Sequence, residues 1–147
     1  MTDRPTLHLT NWSSRRLHGP GRKWTIMAAA RGRMRGDGAV SCFVPPLQLL
    51  REVQAGRMTE DAYATKLWAV AEAEWAALPG WGSPFAPDVL LAYESAGYAV
   101  YVRDGDSLLC ACARAKAAAG RCHRATAAPF LVRAGWRVLL DGVEVTT

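Results

Sequence analysis

Two short apolar segments near the start of the chain each run into a polar loop. The segment from Thr6 to Thr10 alternates its leucines on one face, and the turn-forming residues 11–14 follow it directly. Lys23 to Ala29 forms a second apolar segment of strand length, followed by the glycine- and arginine-rich loop 31–38. This pattern predicts two strands, each ending in a polar loop.

The middle of the chain has the apolar spacing of helices. Pro46 suits a first helical turn, and Gly56 stands where that helix would end. Thr59 is a candidate N-cap of a second helix, whose predicted buried stripe comprises Tyr63, Leu67, Val70, Ala71, Trp75 and Leu78. After a Gly- and Pro-rich loop at 79–87, a third helix is predicted to begin near Pro87 and to stop at Gly97.

The last third of the chain returns to strands. Tyr98 to Val102 and Leu108 to Cys112 are predicted strands, and the second is apolar enough to be buried on both faces of a parallel sheet. Residues 122–134 predict a helix that Pro129 should kink or split, and Trp136 to Leu140 predicts a final strand.

The order of these elements predicts an α/β fold. We expect a single three-layer Rossmann-like domain over residues 1–147, with a mainly parallel sheet and helices on both faces. A length of 147 residues, of which 50% are hydrophobic and 21% charged, fits one globular domain. The chain has no apolar run of about 18 residues and no apolar signal segment at its start, so we expect a cytoplasmic protein without a membrane partner.

Positive charge is concentrated near the N-terminus. The formal net charge is +5, and the segment 13–36 has seven basic residues and no acidic one. Such a segment predicts an anionic small molecule or nucleic acid as partner, although a solvated surface would have the same composition. Within this segment, we assign Arg31, at the start of the loop 31–38, to ligand binding.

A cysteine cluster is the strongest chemical signal. Cys110 and Cys112 come at the end of a predicted strand, and Cys122, His123 and Arg124 follow at the start of the next helix. In open α/β sheets this crevice is where ligands bind, and the helix N-terminus favours an anion or a thiolate. Asn11, Ser13 and Ser14 would face the same crevice if the first strand neighbours the cysteine strand.

The chain resembles the family catalogued as domain of unknown function 488, common in bacteria and phages. The matching stretches are the Leu-Leu-Cys strand ending at Cys110, Cys122-His123-Arg124 with Ala127 or Ala128 after it, the first strand with Asn11-Trp12-Ser13-Ser14, Ile26-Met27-Ala28, and Thr59-Glu60-Asp61-Ala62-Tyr63. The resemblance implies a compact α/β domain with Rossmann-like layering and a site built from the two cysteine segments, but no established reaction. This chain differs from the family pattern in two ways. It has an additional cysteine, Cys112, and it lacks the proline that the family has after the second strand.

Three interpretations of the cluster stay open. In the first interpretation, the cysteines are buried core residues, and His123 and Arg124 only cap the helix. Alternatively Cys110, Cys112, Cys122 and His123 hold zinc or an iron–sulfur cluster, although their spacing fits zinc sites poorly. In the third interpretation, the cluster is an anion or nucleotide pocket with a nucleophilic cysteine. A phosphatase-type loop is excluded, because the sixth residue after Cys110 is Lys116 and not arginine.

We therefore expect a small enzyme that binds a nucleotide, a modified base or a nucleic-acid end in a pocket at the strand ends. The candidate catalytic residues are Cys110, Cys122 and His123, with His123 as acid or base. The candidate ligand-binding residues are Asn11, Ser13, Ser14, Arg31 and Arg124. The alternative is a non-enzymatic adaptor that contacts nucleic acid or protein through residues 13–36.

Overall fold

The computed structural model describes residues 4–27, 32–40, 43–76, 90–111 and 122–146. The strands are β1 (Thr6–Asn11), β2 (Lys23–Thr25), β3 (Gly38–Ala39), β4 (Leu91–Glu94), β5 (Ala99–Tyr101), β6 (Ser107–Cys110), β7 (Arg137–Leu140) and β8 (Val143–Val145). The α-helices of the described ranges are α1 (Leu47–Gln54), α2 (Glu60–Ala76) and α3 (His123–Arg133). Short 3-10 turns lie at Arg15–Leu17 and Gly32–Arg35.

One mostly parallel sheet contains these eight strands, in the order β5-β4-β3-β2-β6-β1-β7-β8. The inner strands β3, β2, β6, β1 and β7 run parallel to their neighbours in this group. The β4–β5 hairpin and β8 pair antiparallel at the two edges. The predicted α/β class with a mainly parallel sheet is therefore confirmed.

The chain leaves the centre of the sheet in opposite directions after β1 and β6. β1 connects to β2 on the far side of β6, whereas β6 connects through α3 to β7 on the far side of β1. Such a reversal opens a crevice at the carboxyl ends of the two strands. Asn11 and Cys110, the last residues of β1 and β6, pair with each other at this point.

β6 is buried on both of its faces, as predicted. All four of its residues are buried, and it lies between β1 and β2. Its register pairs Leu108 with Leu9 of β1 and Trp24 of β2, so these apolar side chains share one face of the sheet. Burial of both faces requires hydrophobic side chains on each, which explains the unbroken Leu-Leu-Cys run.

The helices begin where the sequence signals place them. Pro46 precedes α1, and the hydroxyl of Thr59 accepts a hydrogen bond from the backbone N–H of Ala62 at 3.2 Å, which makes Thr59 the N-cap of α2. On α2 the predicted stripe residues Tyr63, Leu67 and Ala71 are buried, Val70 is half-buried, and the side chains of Trp75 and Leu78 lie outside the described residues. α2 packs on α3, and α3 packs on β7 and β6.

The predicted third helix is wrong where the structure describes it. Leu91–Glu94 is strand β4, and it pairs with both β3 and β5. Gly97, with φ 96°, lies in the turn of this hairpin. Short apolar runs fit helix and strand equally well in sequence, and here sheet pairing decides. Residues 87–89 and the whole of the predicted loop at 79–87 lie outside the described residues.

Three further predictions need correction. Arg137–Leu140 is not the final strand, because a two-residue turn leads into β8. A short strand, β3, begins at Gly38, the last residue of the predicted loop 31–38. α3 is not split at Pro129, which removes a single backbone N–H donor, because the buried residues Ala127, Ala128, Phe130 and Leu131 hold both halves of the helix in the core. The predicted kink at Pro129 stays a prediction.

The core is continuous from the sheet to α2 and α3. Phe130 of α3 packs against Phe43 and Trp68, with ring centroids 6.4 and 5.1 Å apart. Within the described ranges, no helix has the length and apolar character needed to cross a bilayer.

Candidate functional site

Cys110 and Cys122 meet at the carboxyl end of β6. Cys110 ends the strand, and its carbonyl oxygen accepts a hydrogen bond of 3.0 Å from the backbone N–H of Trp12 in the loop after β1. Cys122 is the N-cap of α3 in an extended backbone conformation, and its Sγ accepts a 3.3 Å hydrogen bond from the N–H of Arg124. The two sulfurs are 3.5 Å apart, and both residues are buried.

Arg124 is buried completely in this cluster, with 0% of its surface exposed. Its Nη1 donates to Cys110 Sγ at 2.9 Å, and its Nη2 donates to Asp141 Oδ2 at 3.1 Å. Burial alone would lower the pKa of Arg124, but the charges of Cys110 and Cys122 and the hydrogen bonds to Cys110 and Asp141 raise it above its ordinary value. The guanidinium therefore stays charged and favours the thiolate form of Cys110.

Asp141 completes the cluster and was missed by the sequence analysis. Its Oδ1 accepts a 2.8 Å hydrogen bond from Thr10 Oγ1, and its backbone N–H donates to the carbonyl of Leu9 at 2.8 Å. It occupies the β7–β8 turn with φ 49°, followed by Gly142 with φ 84°. Positive φ at both positions is typical of a type I′ hairpin turn, for which Asp-Gly is a strong sequence signal. That dipeptide could have revealed the hairpin.

His123 lies on another side of α3. It lines a small void together with Phe43, Val70 and Ala71, between α2 and α3. The residue is 9% exposed, and among the described residues its buried Nε2 has no hydrogen-bond partner. His123 thus belongs to the helix interface, while its neighbour Arg124 faces the cysteines.

The residues after β1 form a hydrogen-bonded turn. Asn11 Oδ1 accepts from the backbone N–H of Ser14 at 2.8 Å and from Ser13 Oγ at 2.9 Å. An Asx turn of this kind is the structural role that Asn and Ser commonly play after a strand. Asn11 is nevertheless the residue that pairs with Cys110 in the sheet, so the turn adjoins the cysteine cluster.

Arg31 and Cys112 lie outside the described residues. The hypothesis of a four-ligand metal site includes Cys112, so it stays a prediction. In the ranges that the structure describes, no group of three or more His, Cys, Asp or Glu side chains is placed to hold a metal ion.

A second feature is an open cleft of about 620 Å³ in the basic segment. Its described lining comprises Trp12, Ser13, Arg15, His18, Lys23 and Met34. The Trp12 and His18 rings pack edge to face with centroids 6.4 Å apart, and His18 Nε2 donates to the carbonyl of Asn11 at 3.0 Å. Lys23 pairs with Ser107, and because side chains alternate along a strand, it lies on the face opposite Cys110.

Fold and site together define a mixed α/β protein with a buried thiol–guanidinium–carboxylate cluster at the switch point of its sheet. Comparisons of the chain with protein-family models, curated proteins and solved structures give no match. The resemblance to domain of unknown function 488 therefore stays a prediction.

Proposed function

We propose that the protein binds an anionic ligand with an aromatic base in the basic cleft. Suitable ligands are a nucleotide, a modified base or a nucleic-acid end. The observation that carries this proposal is the lining, which combines Arg15 and Lys23 with the indole of Trp12. Basic side chains attract phosphate, and an indole offers a surface on which a base can stack.

The position of the cleft supports the same proposal. Trp12 and Ser13 immediately follow β1, at the topological switch point where open α/β sheets bind ligands. Apart from Trp12, the described lining falls within the basic segment 13–36. Arg124, by contrast, is buried and already contacts Cys110 and the carboxylate of Asp141, so of these two sites the cleft is the one with accessible positive charge.

Titration calorimetry with the four ribonucleoside triphosphates and a short single-stranded oligonucleotide tests the proposal. Arg15→Ala should weaken binding by about tenfold or more, since a hydrogen bond to a charged group contributes about 1.5–3 kcal/mol. Arg16→Ala is the matched control, because Arg16 is an exposed neighbour in the same 3-10 turn but does not line the cleft. Equal losses in both variants, or no binding by the unaltered protein, would contradict the proposal.

A second candidate function, an enzyme with Cys110 as nucleophile, is favoured by the contact between Arg124 Nη1 and Cys110 Sγ at 2.9 Å. A guanidinium beside a thiol stabilises the reactive thiolate. In this candidate function, Arg124 stabilises the thiolate of Cys110, and His123 takes no part because it faces α2. Since Cys110 is fully buried, the strand ends must open before a substrate can reach it.

Alkylation by iodoacetamide, followed residue by residue by mass spectrometry across pH, tests the second candidate. We expect Cys110 to react through its thiolate at a pH well below the value of about 8.5 that is typical of a free thiol. Cys122→Ser keeps the Arg124 side-chain contact with Cys110 and should leave this pH dependence in place. If the alkylation rate of Cys110 depends on pH in the same way as that of an ordinary thiol, Cys110 is not an activated nucleophile.

We also propose the finer architecture, a single three-layer domain related to domain of unknown function 488. Because β6 is buried on both of its faces, we expect a layer of the protein to pack on each side of the sheet. Limited proteolysis should then leave one resistant core, and two stable fragments would contradict a single domain.

A further inference from the structure

The sulfurs of Cys110 and Cys122 are close enough for redox chemistry. They lie 3.5 Å apart, and no disulfide joins them. The S–S bond of a disulfide is about 2.05 Å long, so a modest approach of the two side chains would join them. Such a bond would link the end of β6 to the start of α3.

We propose that Cys110 and Cys122 form a reversible disulfide when hydrogen peroxide oxidises Cys110. The Cys110 thiolate attacks one peroxide oxygen, the O–O bond breaks, and the departing hydroxide takes up a proton and leaves as water. Cys110 is then a sulfenic acid. The Cys122 sulfur attacks the Cys110 sulfur, and the hydroxyl group leaves with the Cys122 proton as a second water. Two thiols lose two electrons in total, and one peroxide is reduced to two waters.

The surroundings of the two sulfurs assign these roles. Cys110 Sγ receives the charged Nη1 of Arg124 at 2.9 Å, whereas Cys122 Sγ receives the uncharged backbone N–H of Arg124 at 3.3 Å. A charged donor stabilises a thiolate more than a neutral donor does. Cys110 is therefore the attacking thiolate and Cys122 the resolving thiol.

The same contacts make the disulfide easy to reduce. Forming the bond removes the negative charge of Cys110, and the buried Arg124 then keeps Asp141 as its charged partner. Interactions that stabilise the reduced form of a dithiol make its disulfide a stronger oxidant. We expect mild dithiols to reduce the bond completely.

The test uses a full-length Cys42→Ser/Cys112→Ser variant, which removes the other two cysteines of the chain. After hydrogen peroxide treatment, we expect its intact mass to fall by two hydrogens and peptide mapping to link Cys110 to Cys122. Dithiothreitol should restore the original mass. The same mapping on unaltered protein covers the case in which the double variant does not fold, as judged by circular dichroism.

Cys122→Ser in the same background provides the second measurement. Without the resolving thiol, the Cys110 sulfenic acid should persist and be captured by dimedone. The proposal is overturned if peroxide leaves both thiols intact in folded protein. It is also overturned if Cys110 proceeds to sulfinic acid while Cys122 stays a thiol. Because the readout is a covalent bond in protein without ligand, it succeeds or fails independently of nucleotide binding.

Discussion

Arg124 and Asp141 form a buried ion pair that ties the first turn of α3 to the β7–β8 hairpin. Their Nη2 and Oδ2 atoms are 3.1 Å apart, with side-chain exposures of 0% and 15%. A guanidinium in this position needs a charged partner, because removing one member of a buried pair leaves an uncompensated charge. The pair therefore fixes the guanidinium that contacts Cys110.

Asp141→Asn should destabilise the protein by about 3 kcal/mol, the lower end of the range for breaking a buried pair. Asparagine tolerates the positive φ of Asp141, so the substitution removes the charge without straining the turn. Urea unfolding measures the loss. Glu144→Gln is the control, because the ion pair of Glu144 with Arg137 is exposed to solvent and should contribute little to stability. Equal effects in the two variants would show that burial adds nothing to the Arg124–Asp141 pair.

Thr10→Val should cost about 1 kcal/mol, because it removes the hydroxyl that donates to Asp141 Oδ1 at 2.8 Å. Thr10 is 1% exposed and valine has nearly its shape, so packing is retained. In an Asp141→Asn background the same change should cost clearly less, since its charged acceptor is gone. A double-mutant cycle in urea measures the coupling, and strictly additive losses would argue against a shared network.

Local signals in the sequence predicted part of this fold and part of this site. α1 and α2 follow from a proline, a capping threonine and apolar spacing, all of which act within a few residues. The structure brings Cys110, Cys122 and Arg124 into contact, as the order of strand, loop and helix suggested.

Long-range relationships explain what was missed. Asp141 reaches Arg124 because β7 lies beside β1, and no local pattern encodes that neighbour. Leu91–Glu94 is a strand because β3 and β5 pair with it, although its own spacing also fits a helix. Whether Arg124 faces a ligand or the core likewise depends on Asp141, which is 17 residues further along the chain.

Gly38→Ala should disrupt the pairing of β3 with β4, the strand found where the sequence predicted a third helix. Gly38 has φ 145°, and a Cβ there would lie 2.7 Å from Glu94 Cα and still closer to the carbonyl of Tyr93. We expect a loss of about 2 kcal/mol or more in urea unfolding, because strand β4 must move. Gly97→Ala, in the turn of the same hairpin, has positive φ but open space around it, and should cost about 1 kcal/mol. If Gly38→Ala costs no more than Gly97→Ala, the β3–β4 pairing is not as close as described.

Stability should fall as the pH drops below about 6.5, the ordinary pKa of histidine, in part because of His8. Burial lowers the pKa of His8; attraction to Asp104 opposes this shift and repulsion from Arg137 adds to it. The unfolded chain therefore binds the His8 proton at a higher pH than the folded chain, so acidification favours unfolding. His8→Gln should flatten the melting temperature between about pH 7 and 5 relative to the unaltered protein. If the curves of melting temperature against pH are parallel for the two proteins, His8 does not contribute to the pH dependence of stability.

Salt dependence separates a nucleic-acid end from a free nucleotide in the basic cleft. If Arg15 and Lys23 each neutralise one phosphate of a single strand, the double alanine variant should lower the slope of log affinity against log salt by about 1.4, or about 0.7 for each contact. Arg16→Ala should leave the slope almost unchanged, because Arg16 does not line the cleft. Filter binding of a labelled oligonucleotide at several salt concentrations measures all three proteins. Equal slopes for the double variant and the unaltered protein, with triphosphate binding still lost in the double variant, would identify the ligand as a free nucleotide, because the cleft would then make no backbone contacts along a strand.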